Sequence, residues 1–215
     1  AVRSLLAEFL LRSSREKDRA EGEELVAAIA KDGKPGALAA ADVWQRLEKY
    51  GKAAESATAA LAAYPDDPEL LFRRGASLER EKKFPESVAA FERLIELKPD
   101  HGAALNYLGY MYADRNEKLD RAYELVSRAV ALEPSNAAYL DSLGWVCFRL
   151  GKVDEAEKHL LAAKRLSPDD PTIEEHLGDV AESRGDLAKA REHWTRALAL
   201  KPEDGGAALK AKLEK

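Results

Sequence analysis

Large apolar residues return along the chain on a helical rhythm. Phe91, Val126, Leu160 and Trp194 each stand four residues after a small residue (Ser87, Ala122, Ala156, Ala190) and three before Leu94, Ala129, Ala163 or Ala197. Offsets of three and four lie on one face of an α-helix. Ahead of each such face comes a glycine, at Gly75, Gly109, Gly144 and Gly178, and behind it a proline, at Pro99, Pro134, Pro168 and Pro202, with Pro65 one step earlier. The glycines are 34, 35 and 34 residues apart and the prolines 34, 35, 34 and 34. Two residue types sharing one period define an internal repeat.

The period predicts two antiparallel helices per repeat. Glycine on the first and a small residue on the second let the backbones approach, so that larger side chains fill the flanks. Proline ends the second helix, because it lacks an amide hydrogen and pushes its predecessor toward extended geometry. The polar residues that follow, as in Pro99-Asp100 and Pro168-Asp169-Asp170-Pro171, favour a turn and a new helix start. The single 35-residue step places its extra residue in the turn Arg115–Asp120, where an insertion costs little closure entropy. A weaker period ends at Pro65, with Trp44, Tyr50, Ala53, Ala57 and Ala60 in phase and Ala41 in place of the glycine. Residues 1–33 predict one more, degenerate hairpin. Its first helix carries an apolar stripe of Val2, Leu5, Leu6, Phe9 and Leu10, and its second Leu25, Val26 and Ile29. Beyond Asp204-Gly205-Gly206, the pattern Ala208, Leu209, Leu213 among Lys210, Lys212, Glu214 and Lys215 predicts a polar-backed capping helix.

The strings Leu105-x-x-Leu108-Gly109-x-x-Tyr112 with Ala122, Val126, Ala129 and Pro134, and Leu140-x-x-Leu143-Gly144-x-x-Cys147 with Ala156, Leu160, Ala163 and Pro168, resemble the tetratricopeptide repeat, a helix-turn-helix unit of 34 residues. Arg74, before Gly75, and Glu174 stand where that family has large apolar side chains. The resemblance implies an all-α, right-handed α–α superhelix. Its five repeats fall at 34–67, 68–101, 102–136, 137–170 and 171–202, between the degenerate hairpin of residues 1–33 and a cap at 203–215.

Composition narrows the chemistry. The 215 residues include 34 Lys plus Arg against 39 Asp plus Glu, a net charge of −5 that argues against nucleic acid. The single cysteine, Cys147, excludes an internal disulfide or a thiol-rich zinc site and reads as a small buried hydrophobe. No apolar run approaches the ~20 residues of a membrane span. The segment Leu5–Leu11 is too short, and interrupted by Glu8, to be a secretory signal core. His101, His159, His176 and His193 lack metal-ligand spacing. His159 and His193 occupy equivalent repeat positions, which assigns them to helix packing. Carboxylate pairs such as Glu174-Glu175 and Asp169-Asp170 read as solvated surface. The expectation is a chain without catalytic residues, cofactor or metal, whose function is recognition.

The resemblance also implies which side chains line the inner wall of the superhelix. They are Phe72, Arg73, Ala76, Glu79 and Arg80; Asn106, Tyr107, Tyr110 and Asp114; Asp141, Ser142, Trp145, Phe148 and Arg149; and Thr172, Glu175, His176, Asp179 and Glu182. Tyr107, Tyr110, Trp145 and Phe148, beside Asn106 and Arg149, make the middle aromatic, the composition of an anchor site for a protein or peptide. Phe72, Asp141 and Glu175 replace the lysines and asparagine of the family's carboxylate clamp, which disfavours a chaperone-tail receptor. Charge is graded from Arg73 and Arg80 to Glu175, Asp179 and Glu182, predicting an extended, partly apolar ligand of opposite gradient.

A narrower resemblance lies in Ala104-Leu-Asn-Tyr-Leu-Gly-Tyr110, Tyr139-Leu-Asp-Ser-Leu-Gly-Trp145 and Glu175-His-Leu-Gly-Asp179. These strings are similar to bacterial tetratricopeptide proteins that are often outer-membrane lipoproteins facing the periplasm. Some of them are adaptors that bind and activate a carboxyl-terminal processing protease. That resemblance implies a periplasmic segment with its lipid anchor upstream; the alternative is a cytoplasmic chain. The competing function is a self-associating scaffold for a pilus or secretion assembly, since the first hairpin lacks a polar outer face.

Overall fold

The computed structural model describes residues 2–202 and 205–214, and its described residues form thirteen α-helices and no strand. They are α1 (Val2–Leu11), α2 (Glu16–Ala30), α3 (Gly33–Arg46), α4 (Tyr50–Ala63), α5 (Pro68–Arg80), α6 (Phe84–Leu97), α7 (Gly102–Asp114), α8 (Leu119–Leu132), α9 (Ala137–Arg149), α10 (Val153–Leu166), α11 (Pro171–Ser183), α12 (Leu187–Ala199) and α13 (Ala207–Leu213). Consecutive helices pack as helix-turn-helix pairs, the architecture of an α–α solenoid. Of the expected cap at 203–215, residues 203, 204 and 215 lie outside the described residues, as does residue 1. The chain divides into two compact units, Ala1–Ala104 and Leu105–Lys215, with the division falling inside α7.

Local chemistry sets the helix bounds. Asp67, Asn136 and Asp170 sit at N-caps, where each side chain accepts from the amides two and three residues on. Pro68 and Pro171 follow at the first helical position, where a missing amide hydrogen goes unnoticed. The turns that join first to second helix carry one left-handed residue each at Glu48, Lys82, Asn116, Gly151 and Gly185, a periodic mark with no fixed residue type. Between α7 and α8 the connection has four residues instead of three, and Lys118 adds a second left-handed conformation (φ 43°). That is where the extra residue of the 35-residue step is absorbed.

In the second unit the helical glycines are contact points. A Cβ on Gly109 would lie 2.5 Å from Val126 Cγ2 and 3.0 Å from the Ala122 carbonyl oxygen, and one on Gly178 would lie 2.4 Å from the Trp194 indole. Gly75 stands in the same relation to the Phe91 ring in the first unit. Cys147 is fully buried, and burial pushes its thiol up to about 11. Glu174 is also fully buried, with Oε1 2.7 Å from Lys164 Nζ and 2.8 Å from Arg196 Nε, and Oε2 2.6 Å from His193 Nδ1. A carboxylate thus takes an apolar position because three cationic or protonatable groups from α10 and α12 surround it.

The first hairpin leaves the apolar stripe of α1 outside its core. Its core holds Ala7, Val26 and Ile29 against Ala40, Val43, Trp44 and Ala53, with Leu11 and Leu25 packed beside them. The stripe Val2, Leu5, Leu6 and Phe9 points the other way and is exposed, Phe9 to 73%. On α1 Ala7 and Leu11, and not the large residues of the stripe, face the neighbouring helices.

Candidate partner-binding site

Side chains of α7, α9 and α11 converge within the second unit. Their positions are related by the repeat: Asn106, Asp141 and Glu175 form one row, and Tyr110, Trp145 and Asp179 another. His176, an inner-wall position but not one of the expected anchors, is the hub. Its Nδ1 pairs with Asp141 Oδ1 at 2.9 Å, with both residues buried. Its ring stacks on Trp145 at 4.3 Å between centroids and 14° between planes, and meets Tyr110 at 6.4 Å, tilted by 41°. Trp145 stacks in turn on Phe148 at 5.4 Å, and the Arg149 guanidinium lies 5.4 Å from the Trp145 ring centre. Burial pushes the His176 imidazole down, but the Asp141 carboxylate, with Asp179 and Glu175 beyond it, outweighs burial and raises its pKa.

Exposure sorts these residues. Trp145 is only 8% exposed and Asp141 6%, so both form the floor. Tyr107, Tyr110, Phe148, Arg149 and Asn106 are half-buried and carry the accessible surface. The expectation that Trp145 stands open as an anchor is therefore corrected: inter-repeat stacking on His176 covers it. Two polar atoms of this face, Trp145 Nε1 and Asn106 Oδ1, are buried without a hydrogen-bond partner among the described residues.

Glu175 and Asp179 of α11 are already engaged. Lys212 Nζ, from α13, lies 2.8 Å from Glu175 Oε1 and 2.6 and 2.8 Å from the two Asp179 carboxylate oxygens. Asp179 Oδ1 also accepts from Trp194 Nε1 at 3.0 Å. In the first unit, Phe72 meets Phe91 edge-on at 5.6 Å and stacks on His101 at 5.7 Å. Arg73 forks onto the Asp42 carboxylate at 2.6 and 3.2 Å. Arg80 donates to the Tyr50 hydroxyl at 3.1 Å and stands over its ring. The expected charge gradient is thus largely matched inside each unit, because neighbouring helices supply counter-charges that the inner positions alone do not show. Lys212 escapes sequence reasoning for that reason, and His176 because a lone histidine gives no signal until its stacking is seen. Among the described residues no group of three or more His, Cys, Asp or Glu side chains is placed to hold a metal ion, and no helix is long and apolar enough to cross a membrane.

Paired α-helices whose first members carry repeat-related positions define a helical-repeat protein. The chain belongs to the tetratricopeptide repeat family, whose profile matches residues 38–100, 80–137 and 111–171. It is 34% identical over 123 residues to the TPR repeat-containing protein PA4667 of Pseudomonas aeruginosa, covering 57% of this chain and 21% of that protein. The chain therefore spans about a fifth of that relative's length. Among solved structures, the thermophilic TPR protein TTC0263 of Thermus thermophilus has TM-score 0.72 at 23% identity, over 84% of this chain and 99% of that one. MamA of Desulfovibrio magneticus has TM-score 0.63 at 21% identity, over 74% and 90%. At these identities the likeness concerns the fold.

Proposed function

We propose that this chain is a non-catalytic adaptor that holds an extended peptide or protein segment against the first helices of its repeats, taken as 34–67, 68–101, 102–136, 137–170 and 171–202 with flanking hairpin and cap. One observation carries the reading: half-exposed Tyr110, Phe148 and Arg149 stand on a floor of stacked, buried Trp145 and His176. Rings and an arginine whose rotamers are fixed from below lose little entropy on binding and make strong anchors. Tyr107 and Asn106 extend this surface on α7, while Phe72 and Arg73 offer a second area in the first unit. The test is capture of partners from envelope and cytosol fractions of the native organism with the wild-type chain and a Tyr110→Ala/Phe148→Ala variant. Trp145 is left intact to preserve the floor. Loss of these anchors costs about 2 kcal/mol or more each. Unchanged capture with an intact helical spectrum refutes the surface.

The strings shared with periplasmic lipoproteins support the narrower reading of a lipid-anchored adaptor for a carboxyl-terminal processing protease. Purified protease whose cleavage rate is unmoved by the chain refutes that narrower role. The second reading, a self-associating scaffold, rests on the exposed stripe Val2, Leu5, Leu6 and Phe9. Light scattering over a dilution series decides it, with Leu5→Glu/Phe9→Glu as control: a monomer at every concentration rejects the scaffold.

A further inference from the structure

α13 has seven residues, far below the length at which an isolated helix holds in water. Its order comes from docking. Leu209 is buried in a cluster with Ala181, Ala190, Trp194 and Ala197, and Leu213 packs at its edge. Lys212, one turn after Leu209, reaches past this cluster to Glu175 and Asp179 and lies 5.7 Å from the Trp194 ring centre. These two carboxylates occupy the rows that Asp141 and Trp145 occupy one repeat earlier, so a lysine of the chain's own cap sits on ligand-facing positions. The seat is built for an ammonium group. Two carboxylates converge on one nitrogen, and Asp179 is itself fixed by the Trp194 indole. An apolar slot for a leucine lies one helical turn away. The link into α13 runs through Gly205 and Gly206, both left-handed (φ 72° and 69°), a conformation glycine adopts without strain.

We infer that Glu175, Asp179 and Trp194 form a lysine-selective seat that α13 fills in cis. The external ligand of the seat is a basic amphipathic segment with leucine and lysine three residues apart, which binds by displacing α13. This rests on the adaptor reading and gives it a partner class and a built-in competitor. Because α13 shares the seat, apparent affinity for any outside segment is reduced by the fraction of molecules in which the seat is open.

The probe is a peptide with the sequence of residues 205–214, titrated calorimetrically into the full chain. A Leu209→Ala/Lys212→Ala chain, whose cap no longer fills the seat, binds the peptide at least about ten-fold tighter than the wild type. A peptide carrying Lys212→Ala, or the vacated chain with Glu175→Gln added, loses that gain. Equal binding by wild-type and vacated chains overturns the inference, as does equal binding of the two peptides. If the vacated chain loses its helical spectrum, hydrogen exchange on the wild type decides instead. Excess peptide then speeds exchange across residues 207–213 while α11 stays protected; unchanged exchange overturns the inference. Partner capture through Tyr110 and Phe148 is read separately, so failure of the seat and failure of the adaptor reading are distinguished.

Discussion

Replacing Glu174 with glutamine removes one charge and almost no volume from a site that the period assigns to an apolar side chain. The carboxylate has no exposed area and faces Lys164, Arg196 and His193 at 2.7, 2.8 and 2.6 Å. Removing one partner from a buried ionic cluster costs about 3–5 kcal/mol when the others stay buried. Here the Lys164 and Arg196 side chains are 27% and 49% exposed and regain water, whereas His193 is left at 10%. The expected loss is accordingly at the lower end, about 3 kcal/mol. With a urea slope of about 2 kcal/mol/M this moves the unfolding midpoint down by about 1.5 M. Helical circular dichroism and tryptophan fluorescence should be followed together, because repeat arrays unfold in parts. A second signature is acid dependence. Burial pushes the Glu174 carboxyl up, but its pairs with Lys164 and His193 outweigh burial and hold it below its ordinary value. Its stabilisation is therefore complete above the unfolded carboxyl's pKa and is lost as pH falls through the folded one. The gap between wild type and Glu174→Gln must narrow on acidification. A midpoint shift under about 0.3 M, or a gap independent of pH, would refute the ion-cage account.

Gly109→Ala gains about 1 kcal/mol of helix propensity but drives a methyl into Val126 and the Ala122 carbonyl. A net loss of about 1–2 kcal/mol in urea melts is expected, given the stiffness of valine; a stabilised variant would show that the α7–α8 contact is looser than these distances imply. For His176, whose pKa is raised above the imidazole value, the stabilisation is full below the unfolded pKa and disappears as pH rises through the folded one. Asp141→Asn should flatten that part of the pH–stability curve and return the imidazole resonance to titrating near or below its ordinary value. A resonance unmoved by the substitution contradicts the Asp141–His176 pairing.

The hairpins are legible because glycine, alanine and proline each do one steric job per repeat, and steric jobs leave periodic marks. Even the four-residue connection between α7 and α8 follows from counting between Gly109 and Gly144. Faces are less legible than helices. On α1 helical periodicity reports that an apolar face exists, not whether a neighbour covers it; Phe9 is exposed while Ala7 is sealed. Trp145 reads as an anchor from its repeat position, yet His176, from the next repeat, stacks over it. Glu175 and Asp179 read as free acids, and the lysine that neutralises them comes from the cap, 37 and 33 residues on. Contacts between repeats are set by side-chain reach, for which the period carries no signal.

The sealed sulfur of Cys147 has a practical use. Held protonated near neutral pH and shut off from reagent, it reacts with maleimides or iodoacetamide only when α9 opens. Its alkylation half-life is therefore a clock for breathing inside the second unit. Fluorophores or spin labels attached through cysteines introduced at the surface would meet no competing native thiol, so distances across the repeats are measurable without first removing Cys147.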